Sequence, residues 1–187
     1  RRVQMIFQDP YESLNPHLTI FDTVAEPLVV QGIGTVADRE ARVAELLEQV
    51  GLSPAGSFLF RYPHELSGGQ RQRVVIARAL ITRPDLVLAD EPIAMADVSV
   101  RALLLDLMVQ LKQEFNLTYL FITHDLATAK YICDRIGILY LGRMAEIGDL
   151  KEVYSHPLHP YTQALMAAVP VPDPHKRRTR TMPAGEI

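Results

Sequence analysis

The sequence predicts an α/β fold with a partial parallel sheet and a mostly helical subdomain. Two observations carry this prediction. From Pro84 onward, apolar runs of strand length alternate with segments of helical spacing, as in the strand–helix–strand units of a parallel sheet. Between Thr19 and Leu80, the apolar residues recur mainly at helical spacing. The expected segments are a first strand with its loop at 1–18, the helical subdomain at 19–83, the sheet core at 84–148 and a C-terminal extension at 149–187.

Short apolar runs and helical spacing predict the individual elements. In the first half these are strand Val3–Phe7, helix Thr19–Gln31, a helix that begins at Thr35 or Asp38 and ends at Gly51, a short helix within 53–62, and helix Gln70–Leu80. In the second half they are strand Leu86–Ala89, helix Ser99–Phe115, strand Thr118–Thr123, helix Asp125–Cys133, a hairpin of strands Arg135–Tyr140 and Arg143–Ile147, and short helices Leu150–Tyr154 and Tyr161–Val169. The buried stripe of the long helix is expected to consist of Leu103, Leu104, Leu107, Met108 and Leu111.

Composition limits the class of protein. The chain has 187 residues, 48% of them apolar, and a net charge of −3, so we expect a sizeable core and no nucleic-acid partner bound through overall basicity. No apolar run approaches the roughly 18–20 residues of a membrane span. Arg1 and Arg2 lead into a strand, which predicts no signal peptide. The single cysteine, Cys133, excludes an internal disulfide and is consistent with a reducing compartment.

Two stretches carry the chemistry. The strand before Asp90 ends in adjacent carboxylates, Asp90 and Glu91, and buried strands of α/β sheets present catalytic groups at this end. Because successive side chains of a strand alternate, these acids are expected to point to opposite faces. Ser67 is placed to cap a helix after the turn formed with Gly68 and Gly69, whose bare amides would attract an anion. An acidic pair and an anion site together indicate phosphate and Mg²⁺ chemistry.

In combination, these stretches resemble the ABC-type ATPases. LSGGQ at 66–70 resembles their signature motif, and LVLADEP at 86–92 resembles their Walker B strand. FQDPYESLNP at 7–16 resembles the Q-loop of the oligopeptide, dipeptide and nickel importer branch. HPYTQAL at 159–165 resembles the C-terminal extension of the same branch. The resemblance implies a P-loop NTPase-like ABC ATPase fold.

The resemblance also implies roles for individual residues in ATP and Mg²⁺ chemistry. Asp90 would hold Mg²⁺ through water, and Gln8 would contact Mg²⁺ or the attacking water. Glu91 would act as the general base, and His124, in the sequence THDLATA, would hydrogen-bond the γ-phosphate and orient the water and Glu91. Asp97 matches the D-loop aspartate, although the three residues before it depart from those common in the family.

ABC ATPases close head to tail in pairs around two ATP molecules. By this resemblance, Ser67, Gly68, Gly69 and Gln70 would contact ATP held by a second ATPase subunit. The sequence does not indicate whether that subunit is an identical or a different chain.

The resemblance implies further partners at the cytoplasmic face of the membrane. Transmembrane permease subunits would bind directly, with Tyr11, Leu14 and Asn15 as expected contacts, and a solute-binding protein would act indirectly. The sequence does not identify the transported solute.

The Walker A sequence, G-x-x-x-x-G-K-[ST], does not occur in these 187 residues. Because Walker A precedes the Q-loop in this family, we expect a protein that continues before Arg1, and we expect the 187 residues alone to be inactive. Missing strands would leave an exposed apolar surface beside the predicted sheet.

Two other functions are alternatives to an ATP-hydrolysing importer subunit for peptides or similar small solutes. A soluble ABC ATPase that acts on nucleic acid or ribosomes usually carries long insertions or tandem cassettes, and the SLNP and HPYTQAL stretches argue against it. A non-catalytic interaction module would have no use for Glu91 and His124. The importer subunit is therefore the favoured interpretation.

Overall fold

A computed structural model describes residues 2–168, which form two compact units that meet in sequence between His124 and Asp125. The first unit contains β1 (Val3–Ile6), α1 (Pro10–Ser13), α2 (Ile20–Val30), α3 (Val36–Gln49), α4 (Gly68–Leu80), β2 (Leu86–Asp90), α5 (Val98–Glu114) and β3 (Thr118–Ile122). The second contains α6 (Leu126–Ile132), β4 (Arg135–Tyr140), β5 (Arg143–Asp149), α7 (Leu150–Ser155) and α8 (Pro160–Ala168). These elements confirm the predicted α/β class. Residues 169–187 of the predicted C-terminal extension lie outside the described residues.

The three strands of the first unit form a parallel sheet, as predicted, and their order in it is β1-β2-β3. One face is buried, with Ile6, Val87 and Ala89 fully inaccessible to solvent. The other face carries apolar side chains that are 39–55% exposed, namely Val3, Met5, Leu120 and Ile122. This face of the sheet therefore carries exposed apolar side chains.

Helices α2 and α3 each begin directly after a residue that caps them. Thr19 and Thr35 each accept a hydrogen bond from the backbone N–H three residues later, and Asp22 and Asp38 bond back to them. Of the two predicted starts of α3, Thr35 is thus the cap and Asp38 is its capping partner. Gly51 ends the helix as predicted, with a left-handed φ of 76° that glycine adopts readily.

Helix α5 confirms most of its predicted buried stripe. Leu104, Met108 and Leu111 are fully buried, whereas Leu103 is 57% exposed and was wrongly placed in the core. Leu103 and Leu105 flank the stripe at similar angles on either side of Leu104, so helical spacing alone does not decide between them. The fold buries Leu105.

The second unit is built on the predicted hairpin. Strands β4 and β5 pair antiparallel, and the two turn residues, Leu141 and Gly142, both have positive φ, as hairpin turns of this kind require. Ile136 and Ile138 on the inner face of β4 pack into one core with residues of α6 and α7. Within the described part of the chain, no helix combines the length and apolar character needed to cross a bilayer.

Glu146 on β5 anchors the segment that precedes α8. Its carboxylate accepts the backbone N–H groups of Leu158 and His159, each at 3.0 Å. Both hydrogen bonds favour the charged carboxylate and so hold the pKa of Glu146 below its ordinary value. The bond from Leu158 has the larger effect of the two.

The lowered pKa of Glu146 predicts a pH-dependent contribution to stability. A carboxyl group whose folded pKa is depressed stabilises the fold above its unfolded pKa, about 4.3 for glutamate, and this contribution is lost as pH falls through the folded pKa. We expect Glu146→Gln to lower the melting temperature of the full-length protein at pH 7, with the difference from wild type shrinking as the pH falls below about 4.3 and disappearing once the pH is below the lowered pKa of Glu146. Glu40→Gln, on the exposed surface of α3, is the control. An equal effect of both changes at every pH would contradict the anchoring role.

Candidate active site

Four predicted site residues lie at one edge of the parallel sheet. Asp90 is the last residue of β2 and Glu91 follows it, while Gln8 and His124 come shortly after the ends of β1 and β3. The strands run parallel in register, so their carboxyl ends lie side by side with β2 in the centre. This edge is where α/β sheets hold their ligands.

Glu91 and His124 are in direct contact. One carboxylate oxygen of Glu91, Oε1, accepts the backbone N–H of His124 at 2.8 Å and lies 2.6 Å from its ring Nδ1. The Glu91 side chain is only 16% exposed, whereas that of His124 is 79% exposed. When Nδ1 is the donor in this contact, the other ring nitrogen, Nε2, can face a ligand.

The backbone at Glu91 departs from the strand geometry on which one expectation rested. Strand alternation predicted that Asp90 and Glu91 point to opposite faces, but the strand ends at Asp90 and Glu91 has a φ of +45°. This left-handed backbone costs a non-glycine residue on the order of 1–3 kcal/mol. The Glu91 N–H donates to the carbonyl of Ile122 at 3.0 Å, and the side chain reaches along the sheet edge to His124.

The donor groups at this edge fit Mg²⁺ that arrives with a nucleotide. Mg²⁺ usually keeps several waters and binds one or two carboxylates together with substrate phosphates. Asp90 offers a half-buried carboxylate at the strand end, and Gln8 is an exposed amide in the loop after β1. Among residues 2–168, no group of three or more His, Cys, Asp or Glu side chains could hold a metal by itself.

The signature residues form a second group at the start of α4. Ser67 Oγ accepts the Gln70 N–H at 3.3 Å, and Gln70 Oε1 accepts the Ser67 N–H at 2.9 Å, so the predicted cap is confirmed as a capping box. Ser67 and Gly68 are exposed at the positive end of the helix, where backbone amides attract anions. Both hydrogen bonds are formed within the cap, and neither involves Glu91 or His124.

Asp97 occupies the N-cap position of α5 but makes no capping bond with its side chain. The loop between Glu91 and Asp97 consists of successive turns, in which backbone N–H groups donate to carbonyls three residues earlier. Arg101, on the first turns of α5, lies 3.3–3.4 Å from two loop carbonyls. This contact was not predicted, and a basic residue shortly after the loop is the only sequence signal for it.

Arg71 is a second residue that the sequence analysis missed. It is buried on α4, where one guanidinium nitrogen donates to the Pro63 carbonyl at 3.0 Å and the other to the Tyr11 hydroxyl. Its guanidinium carbon also lies 3.9 Å from the centre of the Tyr11 ring, which is the geometry of a cation–π contact. Arg71 therefore ties the signature helix to α1, the short helix that follows Gln8.

One predicted permease contact is wrong for this structure. Leu14 is only 4% exposed because its side chain belongs to the core, and it offers no surface to a partner. Tyr11, which is 62% exposed, and Asn15, which is also exposed, remain predictions.

Comparisons with known proteins agree with these motifs. The family model described as "ABC transporter" matches residues 1–94, and the model of the oligopeptide/dipeptide transporter C-terminal region matches residues 145–186. The oligopeptide transport ATP-binding protein AppF of Bacillus subtilis is 53% identical over 171 residues, which cover 91% of this chain and 51% of AppF. A putative peptide import ATP-binding protein of Brucella ovis is 51% identical over all 187 residues and 58% of its own length. The dipeptide transport ATP-binding protein DppF of Lactococcus lactis is 53% identical over 179 residues, or 95% of this chain and 57% of DppF.

A solved structure shares the fold. CbiO1 of Clostridium perfringens, described as part of the ABC transporter complex CbiONQ, matches with a TM-score of 0.73 and 27% identity, over 83% of this chain and 60% of CbiO1. The chain spans little more than half the length of the curated relatives named above. Because the ABC transporter model matches 94 of the 187 residues, more than half of the chain, the chain belongs to the ABC transporter family.

Proposed function

We propose that the full-length protein hydrolyses ATP with Mg²⁺ and thereby powers an importer of peptides or similar small solutes. The observation that carries this proposal is the contact between Glu91 and His124 at the carboxyl edge of the sheet, beside Asp90. The names of the relatives support the solute class, since they are peptide, oligopeptide and dipeptide transport or import proteins.

In the proposed reaction, Glu91 is the general base. Its carboxylate takes a proton from water as the water oxygen bonds to the γ-phosphorus, and the bond from that phosphorus to the ADP oxygen breaks. His124, fixed by its contact with Glu91, would present Nε2 to the γ-phosphate. Gln8 and Asp90 would hold Mg²⁺, which when bound neutralises charge on the phosphates.

ATP would also join two subunits head to tail. The start of α4, with Ser67, Gly68, Gly69 and Gln70, would face the γ-phosphate held by the second subunit, because a helix N-terminus favours negative charge. Asp97, at the exposed start of α5, would lie in the same interface. Hydrolysis removes the γ-phosphate and so weakens the closed state.

The movement would pass to permease subunits at the cytoplasmic face of the membrane, with a solute-binding protein as an indirect partner. Arg71 supports this route, since it joins the signature helix to the exposed Tyr11. A change in the position of α4 would therefore also shift Tyr11, which lies on the surface proposed to contact the permease.

Reconstitution tests the proposed function. The full-length protein would be placed in liposomes with its permease subunits and binding protein, and ATP hydrolysis and uptake would be measured with short peptides, free amino acids or sugars. We expect peptides alone to stimulate hydrolysis and to accumulate inside the liposomes. Hydrolysis that sugars stimulate and peptides do not would overturn the solute class, and absence of hydrolysis would overturn the ATPase assignment.

A further inference from the structure

The first turns of α4 and α5 approach each other closely at Gly69. A Cβ atom placed on Gly69 would lie 2.7 Å from Cγ1 of Val100, closer than real Cβ contacts allow. A Cβ on the neighbouring Gly68 would meet nothing within 4 Å. The two signature glycines therefore differ: Gly69 is required by the approach of α5, and Gly68 is not.

Backbone conformation does not explain the glycine at 69. In the left-handed region of φ, a side chain would be strained whatever the space around it, but the φ of Gly69 lies outside that region. Close packing against Val100 is thus the constraint that the structure shows at this position.

Val100 is suited to fix this distance. It is half-buried on the first turn of α5, and a β-branched side chain in a helix has one strongly preferred rotamer. The loop that leads from Glu91 into α5 is braced by Arg101, whose guanidinium lies near the carbonyls of Ala94 and Ala96. Val100 therefore holds a methyl group in one preferred orientation at the start of α5, next to the loop that Arg101 contacts.

We propose that Val100 is a positioning residue for the signature motif. Its Cγ1 methyl sets the separation of the two helix starts, and this separation sets the direction in which the Gly68 and Gly69 amides meet the triphosphate. Val100 itself touches no nucleotide and acts through Gly69. The inference rests on the proposed function, because it concerns how the signature motif binds ATP.

A double-mutant cycle in the full-length protein tests this role. Gly69→Ala, Val100→Ala and the double variant would be compared by the ATP concentration that gives half-maximal hydrolysis, by kcat and by melting temperature. We expect Gly69→Ala to raise the half-maximal ATP concentration about tenfold, as overpacking at a contact does. The double variant lacks the Val100 methyl that would clash with the side chain added at position 69. Its half-maximal ATP concentration should therefore return to within about threefold of that of Val100→Ala alone.

Further variants separate positioning from simple packing. Val100→Ile keeps both Cγ atoms and should retain wild-type ATP dependence, whereas Val100→Ala should raise the half-maximal ATP concentration about threefold or more by freeing the signature turn. Leu103→Ala, at an exposed position on the same helix, should leave ATP dependence unchanged. These single changes keep the test valid where Gly69→Ala does not fold.

The outcomes separate this inference from the proposed function. Two results in an active enzyme would overturn the role of Val100. One is a double variant whose change in half-maximal ATP concentration is the product of the changes caused by Gly69→Ala and Val100→Ala alone. The other is a Val100→Ala variant that melts at a lower temperature but keeps the wild-type ATP dependence. A wild-type protein without ATP hydrolysis would instead overturn the proposed function.

Discussion

Replacing Glu91 with glutamine should lower the rate of ATP hydrolysis by the full-length protein about 10²–10⁴-fold, the usual contribution of a general base. The amide keeps the size of the side chain, and its oxygen can still accept the His124 N–H that Glu91 Oε1 accepts at 2.8 Å. ATP binding should survive, because the change removes no proposed Mg²⁺ contact. Loss of a negative charge near the γ-phosphate should also prolong the closed dimer.

Hydrolysis rates and size-exclusion chromatography with ATP would measure both effects. Asp90→Asn is the matched control, since it alters the neighbouring carboxylate and should weaken Mg²⁺ binding instead of prolonging the dimer. A Glu91→Gln variant that turns over at nearly the wild-type rate would exclude Glu91 as the base and leave His124 as the leading candidate.

Replacing Leu104 with alanine should lower the free energy of unfolding by about 2–5 kcal/mol, because a fully buried leucine leaves a cavity. The adjacent change, Leu103→Ala, should cost about 0.5 kcal/mol or less, because that side chain is more than half exposed. Denaturant unfolding of the full-length variants would compare the two. Equal losses would show that α5 is rotated relative to the structure described above.

Local signals explain what the sequence predicted well. The start of α4 was predicted because Ser67 satisfies a backbone N–H group only three residues away, and α2 was predicted from the helical spacing of its apolar residues. The parallel sheet followed from strand–helix alternation, and the hairpin from a turn at Leu141 and Gly142. The edge position of Asp90 and His124 followed from the ends of their strands.

Features that depend on packing between distant segments could not be predicted in this way. Arg71 and Tyr11 are 60 residues apart in the chain, and nothing in either stretch indicates their contact. Leu14 was expected to contact the permease because of the family resemblance, yet the fold buries it. The turn of Glu91 toward His124 depends on a left-handed backbone that strand alternation does not include.

The structure of full-length Glu91→Gln protein with bound MgATP would test the proposed active site most directly. We expect the γ-phosphate within about 3.2 Å of the His124 ring, and Mg²⁺ bound to Gln8 or to Asp90, directly or through water. Ser67 of a second copy should contact the same phosphate. Nucleotide bound away from the carboxyl edge of β1, β2 and β3, with the substituted side chain at position 91 remote from the γ-phosphate, would contradict the assignment of this edge as the site of hydrolysis.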